Sequence, residues 1–370
     1  MPEPLPDAPD EAVRDDASRR LGRRHATLVA AGVALLGLTC VAFLVPVPYV
    51  TMRPGPAFDT FGEIDGEQMF TFGEGVETYE TDGSLDFTTV SVTRADRELS
   101  LGDVIGAWFD GDSAVVPRDV VYPEGESAED SRSEGQAQLT SSKDSSRVAA
   151  LRAAGFEVAE TPLVVEVVPG GAADGRLESG DEVVAIDGTE LDSAAALVEQ
   201  VADGEPGDTL ALEVLRDGEQ RTIEVTTQAA EDDPSLPRLG ISVGTSYDFP
   251  IEVSNNVGDQ VGGSSAGTMF ALAIYDRLTP GSLTGGREVA GTGTMEPDGT
   301  VGPIGGIRQK MAGAAASGAE IFLVPTDNCA DALDGTDYGL QLVQATTLDR
   351  AIDDLEALAD DPDATVSACP

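Results

Sequence analysis

The sequence predicts a multidomain α+β chain held by one N-terminal transmembrane helix. Three observations predict it. First, Ala26 to Val45 carries no charge, and about 20 apolar residues at 1.5 Å each match a bilayer core of about 30 Å. Second, short runs of β-forming residues recur between Gly- and Asp-rich turns over 49–122 and again over 161–228. Third, residues 238–355 alternate strand and helix patterns. A chain of 370 residues suits two or three domains, and a hydrophobic content of 41% is enough for real cores.

Taken in order, residues 1–25 are polar and mixed in charge, which predicts a disordered cytoplasmic tail. The transmembrane helix is expected over 26–48. Arg19, Arg20, Arg23 and Arg24 stand just before the apolar run, so the positive-inside rule leaves the N-terminus in the cytoplasm and the chain after about Pro48 outside. A cleaved signal peptide is the competing reading. The run is longer than a usual signal h-region, and Val45-Pro46-Val47-Pro48 makes a poor cleavage site. Residues 49–160 read as a β-rich membrane-proximal region, with strands at Phe70 to Phe72, Phe87 to Val92 and Ala114 to Val116. Within it, 123–146 is acidic and Ser-rich and is expected as a loop. Residues 161–230 form a second module and 238–358 a third, with a tail over 359–370.

Charge excludes some functions. The net charge of −45 repels nucleic acid and anionic lipid headgroups. The single histidine, His25, precedes the apolar run. That argues against a Ser-His-Asp triad, a Cys-His pair and a His-ligated zinc. Neither a metal nor a cofactor is expected. Cys40 lies in the span, whereas Cys329 and Cys369 fall on the outer side, where a disulfide is permitted. No G-x-x-x-x-G-K-[ST] phosphate loop occurs.

Lysine usage points to chemistry. The chain has two lysines, Lys143 and Lys310, among 22 basic residues. Lys310 closes Gly302-Pro303-Ile304-Gly305-Gly306-Ile307-Arg308-Gln309-Lys310. Arginine cannot shed its proton in a protein, but a desolvated lysine can. On its predicted helix Lys310 shares a face with Ile307 and Ala314, which lowers the amine's pKa. The plain alternative is a lysine snorkelling to water. Upstream lies Gly262-Gly263-Ser264-Ser265-Ala266-Gly267. Ser265 there would open an apolar helix whose N–H groups favour an oxyanion, with Gly262 and Gly263 admitting a substrate backbone. Its plain alternative is an N-cap. A serine nucleophile with a lysine base is one route to acyl transfer.

Two resemblances follow from these motifs. Over 161–228, V-x-P-G-x-A-A, S-G-D-E-V-V-A-I-D-G and R-D-G resemble a PDZ domain of the kind attached to bacterial proteases, which implies peptide binding by strand addition. Ala159-Glu160-Thr161-Pro162 precedes the strand where a glycine-rich carboxylate loop is usual. Over about 238–345, G-G-S-S-A-G, A-G-T-G-T, V-G-P-I-G-G-I-R-Q-K and A-E-I-F-L-V-P resemble the Lon-type proteolytic domain of peptidase family S16. With the anchor and the PDZ-like module, the chain resembles the membrane-anchored Lon-like serine proteases with a PDZ domain. That resemblance implies Ser265 as nucleophile and Lys310 as general base, with Thr292 orienting the lysine. Since no phosphate loop occurs, the leading reading is ATP-independent hydrolysis of unfolded or membrane-associated extracytoplasmic proteins, and a homo-oligomer is compatible with the sequence. A non-catalytic peptide-binding scaffold is the other reading. Ser264 stands where the pattern has proline, and Gly262 where many members have an acid.

Overall fold

The computed structural model describes residues 11–64, 66–123, 125–258 and 261–370, with side chains from residue 25 onward. Residues 1–10 of the expected tail lie outside the described residues. The rest of that tail is not irregular. One helix runs from Glu11 to Leu44, because its stretch before the apolar run is rich in arginine, a good helix former, and has no proline. Its part from His25 to Leu44 is long and apolar enough to cross a membrane.

The main sheet has six strands in the spatial order Gln341–Ala345, Ile321–Pro325, Glu288–Gly291, Ser84–Val92, Tyr49–Asp59 and Ala114–Pro117. The first four are parallel, and the last two join antiparallel. Residues 49–160 are therefore not a separate membrane-proximal region, as the sequence suggested. Half of this sheet's strands come from them. Local strand patterns carry no information about which distant strand they will pair with.

Period-two alternation gives the sheet two apolar faces. Val289, Ile321, Leu323 and Val343 face one side, where helices Ala128–Ala153, Gly267–Leu278 and Leu348–Asp360 cover them. Ala290, Phe322 and Val324 face the other, beneath helix Ile307–Ser317. Helix Gly267–Leu278 is buried almost all round because it lies between the sheet and helix Ala128–Ala153.

That last helix replaces the acidic loop expected over 123–146. Ser127 and Asp130 form a capping box at its start. Its first buried positions are Leu139, Ser142 and Ser146, and a run of apolar burial begins only at Val148 to Leu151. Ser146 Oγ donates to Gly267 O at 2.8 Å, and Ser142 Oγ donates to Ser264 O at 3.1 Å. Small polar residues let two backbones come close, a pattern that hydrophobic periodicity misses.

The second module is built on strands Glu219–Thr226, Thr209–Arg216, Glu182–Ile186, Ala159–Val167 and Ile241–Asp248, in that order, with helix Ala194–Ala202 packed against them. Val164, Val183, Ile186, Leu197, Leu212, Val214 and Val225 fill its core. Two expected boundaries move. Strand Ala159–Val167 includes Ala159 to Pro162, and Ile241–Asp248 pairs with it instead of opening the third domain at 238. The module thus interrupts a larger domain whose strands lie on both sides of it in sequence. At the C-terminus, Cys329 and Cys369 form a disulfide with Cα atoms 5.2 Å apart. Gln344 N donates to Ser367 O, so the tail over 359–370 is pinned to the sheet edge.

Candidate active site

Strand Glu288–Gly291 stops at Gly291, paired with Phe87, while its neighbour Ser84–Val92 runs on. The gap lies beyond the carboxyl end of a parallel strand, where α/β sheets commonly hold ligands. Lys310 reaches into it from the first turn of helix Ile307–Ser317. Gly306 starts that helix in the left-handed region at φ 72°, against the Val90 side chain. The Lys310 side chain is 3% exposed. Its Nζ lies 3.0 Å from Thr88 O, 3.0 Å from Thr292 Oγ1 and 2.8 Å from Ser265 Oγ. Among the described residues no carboxylate pairs with it. Burial lowers its pKa from 10.5 to about 7.

A hydrogen count fixes the polarity of this cluster. Thr292 Oγ1 donates to Ser265 O at 2.8 Å, so toward Lys310 it accepts. Thr88 O accepts as well. A neutral amine has two N–H groups and one lone pair. The ammonium donates to Ser265 Oγ as well; in the neutral amine, with both N–H groups taken, the lone pair is left for the Ser265 hydroxyl.

Ser265 sits just ahead of helix Gly267–Leu278. The N-cap position is Ala266, and no side chain caps that end, so Ser265 is not an N-cap. Its carbonyl is also held by Gly293 N at 2.9 Å. Gly263 has φ 89°, a conformation that suits glycine, and its N–H donates to Gly135 O at 2.8 Å. Gly262 also lies against Gly135, which belongs to helix Ala128–Ala153. Ser264 is not among the hydrogen-bond partners of the amine, and its carbonyl accepts from Ser142. The structure therefore brings Ser265, Lys310 and Thr292 together, lines the adjoining cleft with Gly262 and Gly263, and leaves Ser264 outside the cluster.

Thr88 escaped the sequence reading because it contributes a carbonyl, which has no side-chain signature. The cleft beside Ser265 encloses about 680 Å³ and is lined by Met52, Phe58, Phe87, Val90 and Val261 among others. A second, apolar groove of about 390 Å³ lies between helix Ala194–Ala202 and edge strand Ile241–Asp248, bordered by Val168, Val198 and Leu236.

Two stretches of the chain are similar to known domains. Residues 255–355 match the family model of the Lon protease (S16) C-terminal proteolytic domain, and residues 135–227 match that of the PDZ domain. The chain is 29% identical to the Lon protease of Phenylobacterium zucineum over 146 residues, 39% of this chain and 17% of that one. It is 32% identical to Lon protease 1 of Bacillus subtilis over 164 residues, 40% of this chain and 21% of that one. It is also 33% identical over 100 residues to a probable periplasmic serine endoprotease DegP-like of Halomonas elongata, 24% of this chain and 21% of that one. The chain thus spans about a fifth of the length of these relatives. The proteolytic-domain match is of the serine-peptidase type and begins at 255, so it omits Thr88 and the strands before it.

Proposed function

We propose that the chain is a membrane-anchored, ATP-independent serine endopeptidase that hydrolyses extracytoplasmic proteins with Ser265 and Lys310. One observation carries this reading: a buried lysine, with no carboxylate partner among the described residues, whose Nζ lies 2.8 Å from a serine hydroxyl. Ser265 Oγ attacks the scissile carbonyl while its proton passes to the Lys310 amine. Among the described residues the Ser265 and Ala266 N–H groups make no hydrogen bond, so they are available to the oxyanion. The Lys310 ammonium then protonates the departing amine, leaving an acyl-serine. Water gives a proton to the Lys310 amine and attacks the ester, and the Lys310 ammonium returns that proton to Ser265 Oγ as the ester bond breaks and the acid leaves. Thr292 and Thr88 hold the amine in register throughout.

The cleft supports an extended substrate. Residues Thr88–Val92 have a strand partner on one side only, so a peptide can add along the other, with an apolar side chain among Phe58, Phe87 and Val90. The groove on the PDZ domain suits a second stretch of extended peptide. The apolar helix and the arginines before it support an anchor with the body outside. The Cys329–Cys369 disulfide supports an oxidising compartment for that body.

Casein cleavage by the full chain in detergent, with fluorophosphonate labelling, tests the reading. Wild type should cleave and label at Ser265, and Ser265→Ala should do neither. Peptide binding without cleavage or labelling would overturn the peptidase and leave the scaffold. Added protease should reach the PDZ domain on intact cells. Protection of that domain while other surface proteins are digested would overturn the orientation.

A further inference from the structure

The largest exposed aromatic residues of the chain belong to neither groove. Helix Leu101–Phe109 carries Leu101, Ile105, Trp108 and Phe109 at helical spacing on one side. Trp108 is 75% exposed and Phe109 81% exposed, with their rings 5.8 Å apart. Ala107 of the same helix is buried, and Leu101 and Val104 are half-buried. The helix is anchored at the point where the N-terminal helix ends. Pro46 and Val47 pair with Ser100 and Leu99, directly before its first turn. Gly102 lies so close to the Phe43 ring that a Cβ there would stand 3.1 Å from Cδ1. The carboxylates at its two ends are engaged locally. Asp103 is tied into a capping box with Ser100, and Asp110 accepts from Ser113 Oγ at 2.7 Å.

We propose that helix Leu101–Phe109 is a second membrane contact, lying in the headgroup–acyl boundary beside the outer end of the span, with Trp108 and Phe109 inserted. This inference rests on the reading of Glu11–Leu44 as a membrane anchor. The helix packs at Gly102 against Phe43 in the last turn of the span, so a bilayer around the span reaches its exposed aromatic face. Aromatic rings favour that depth because they join an apolar body to a polarisable or polar edge. A chain of net charge −45 gains nothing from anionic headgroups, which leaves apolar insertion as the means of holding its body down.

The contact also bears on the cleft. The turn after this helix is fastened to the helix that carries Lys310. Gln309 Nε2 donates to Asp112 O at 3.2 Å, and Tyr338 Oη donates to Asp112 Oδ1 at 2.6 Å. Anchoring Trp108 therefore sets the orientation of the cleft to the bilayer, favouring polypeptide that emerges close to the lipid surface.

Trp108 is the only tryptophan of the chain, so its fluorescence reports this helix alone. The full chain is reconstituted into phosphatidylcholine vesicles, with and without bromine on the acyl chains near the headgroup. The expected result is loss of most of the emission in brominated vesicles, a blue-shifted maximum, and little quenching by aqueous acrylamide. Ile105→Ser with Phe109→Ser should reverse both quenching patterns while the chain stays resistant to alkaline extraction. Strong acrylamide quenching with no bromine effect, in protein that resists extraction, would overturn the inference and leave the anchor intact. Shielding from both quenchers would overturn it in favour of a second copy of the chain. Protein extracted by alkali would instead overturn the anchor itself.

Discussion

Asp181 and Lys310 are both charged-type residues taken out of water, and the fold treats them in opposite ways. Asp181 in the PDZ domain is 0% exposed, and Arg216 grips both its oxygens, with Nε at 2.6 Å and Nη2 at 2.7 Å. Burial alone would raise its pKa, but Arg216 and the Glu178 N–H outweigh burial and hold it below the usual carboxylate value. Lys310 is as deeply placed but has only neutral acceptors around it. It meets burial by losing its proton instead. A buried charge with a partner fastens a fold. A buried group left without one is poised to exchange a proton.

Four changes would break or sharpen that contrast. Ser265→Ala should have the largest effect, lowering kcat by roughly 10⁴–10⁶ with the fold kept. Ser264→Ala should leave most of the activity, and equal losses in the two variants would undo the assignment of Ser265.

Lys310→Met should lower kcat by about 10²–10⁴. Methionine is preferable to arginine here, because a guanidinium would bury a fixed charge and confuse chemistry with unfolding. The same variant tests the pKa. Because the folded value lies below the unfolded one, the unfolded chain binds more protons between pH about 7 and 10.5. Wild-type stability should therefore rise with pH across that window, by on the order of 5 kcal/mol if other groups were silent. Turnover should climb through pH about 7 as the amine becomes neutral. Melting curves against pH for wild type and Lys310→Met check this: a slope common to both proteins would mean that Lys310 is not its source.

Arg216→Met strands Asp181 without its counter-charge and should destabilise the PDZ domain by about 3–5 kcal/mol. Peptidase activity on a short peptide should survive at temperatures below the new melting point. Linkage has the opposite sense for Asp181. Its contribution is present above the unfolded carboxylate value and fades as pH falls through the lower folded one. Calorimetry of the two proteins from neutral to acid pH reads both effects.

Thr292→Val should have the smallest effect, about 1–3 kcal/mol in kcat/KM. It removes an acceptor that stabilises the ammonium, so the pH–rate profile should move to lower pH. An unchanged profile with an unchanged rate would make Thr292 a spacer.

The sequence reading of the third domain came close because its motifs are local. The turn before Ser265, the Gly291-Thr292 strand end and the Gly306 helix start are each written in consecutive residues, with helices and strands near their predicted places. It faltered over 123–146 because charge and serine content looked like a loop. The serines at positions 142 and 146, one helical turn apart, mark a close helix contact. It also faltered at residue 241, since a strand pattern cannot name the sheet it joins.

What the sequence determined by itself was composition-limited chemistry. One histidine ahead of the apolar run, two lysines and a serine in a glycine turn left few ways to build a hydrolytic site. What only the tertiary structure decided was contact between parts far apart in the chain. Thr88 reaches Lys310 across 222 residues, and the strand that supplies it precedes the PDZ domain. Burial, and so the shifted pKa of Lys310, is a property of how separate elements close over one side chain, and no stretch of consecutive residues encodes it.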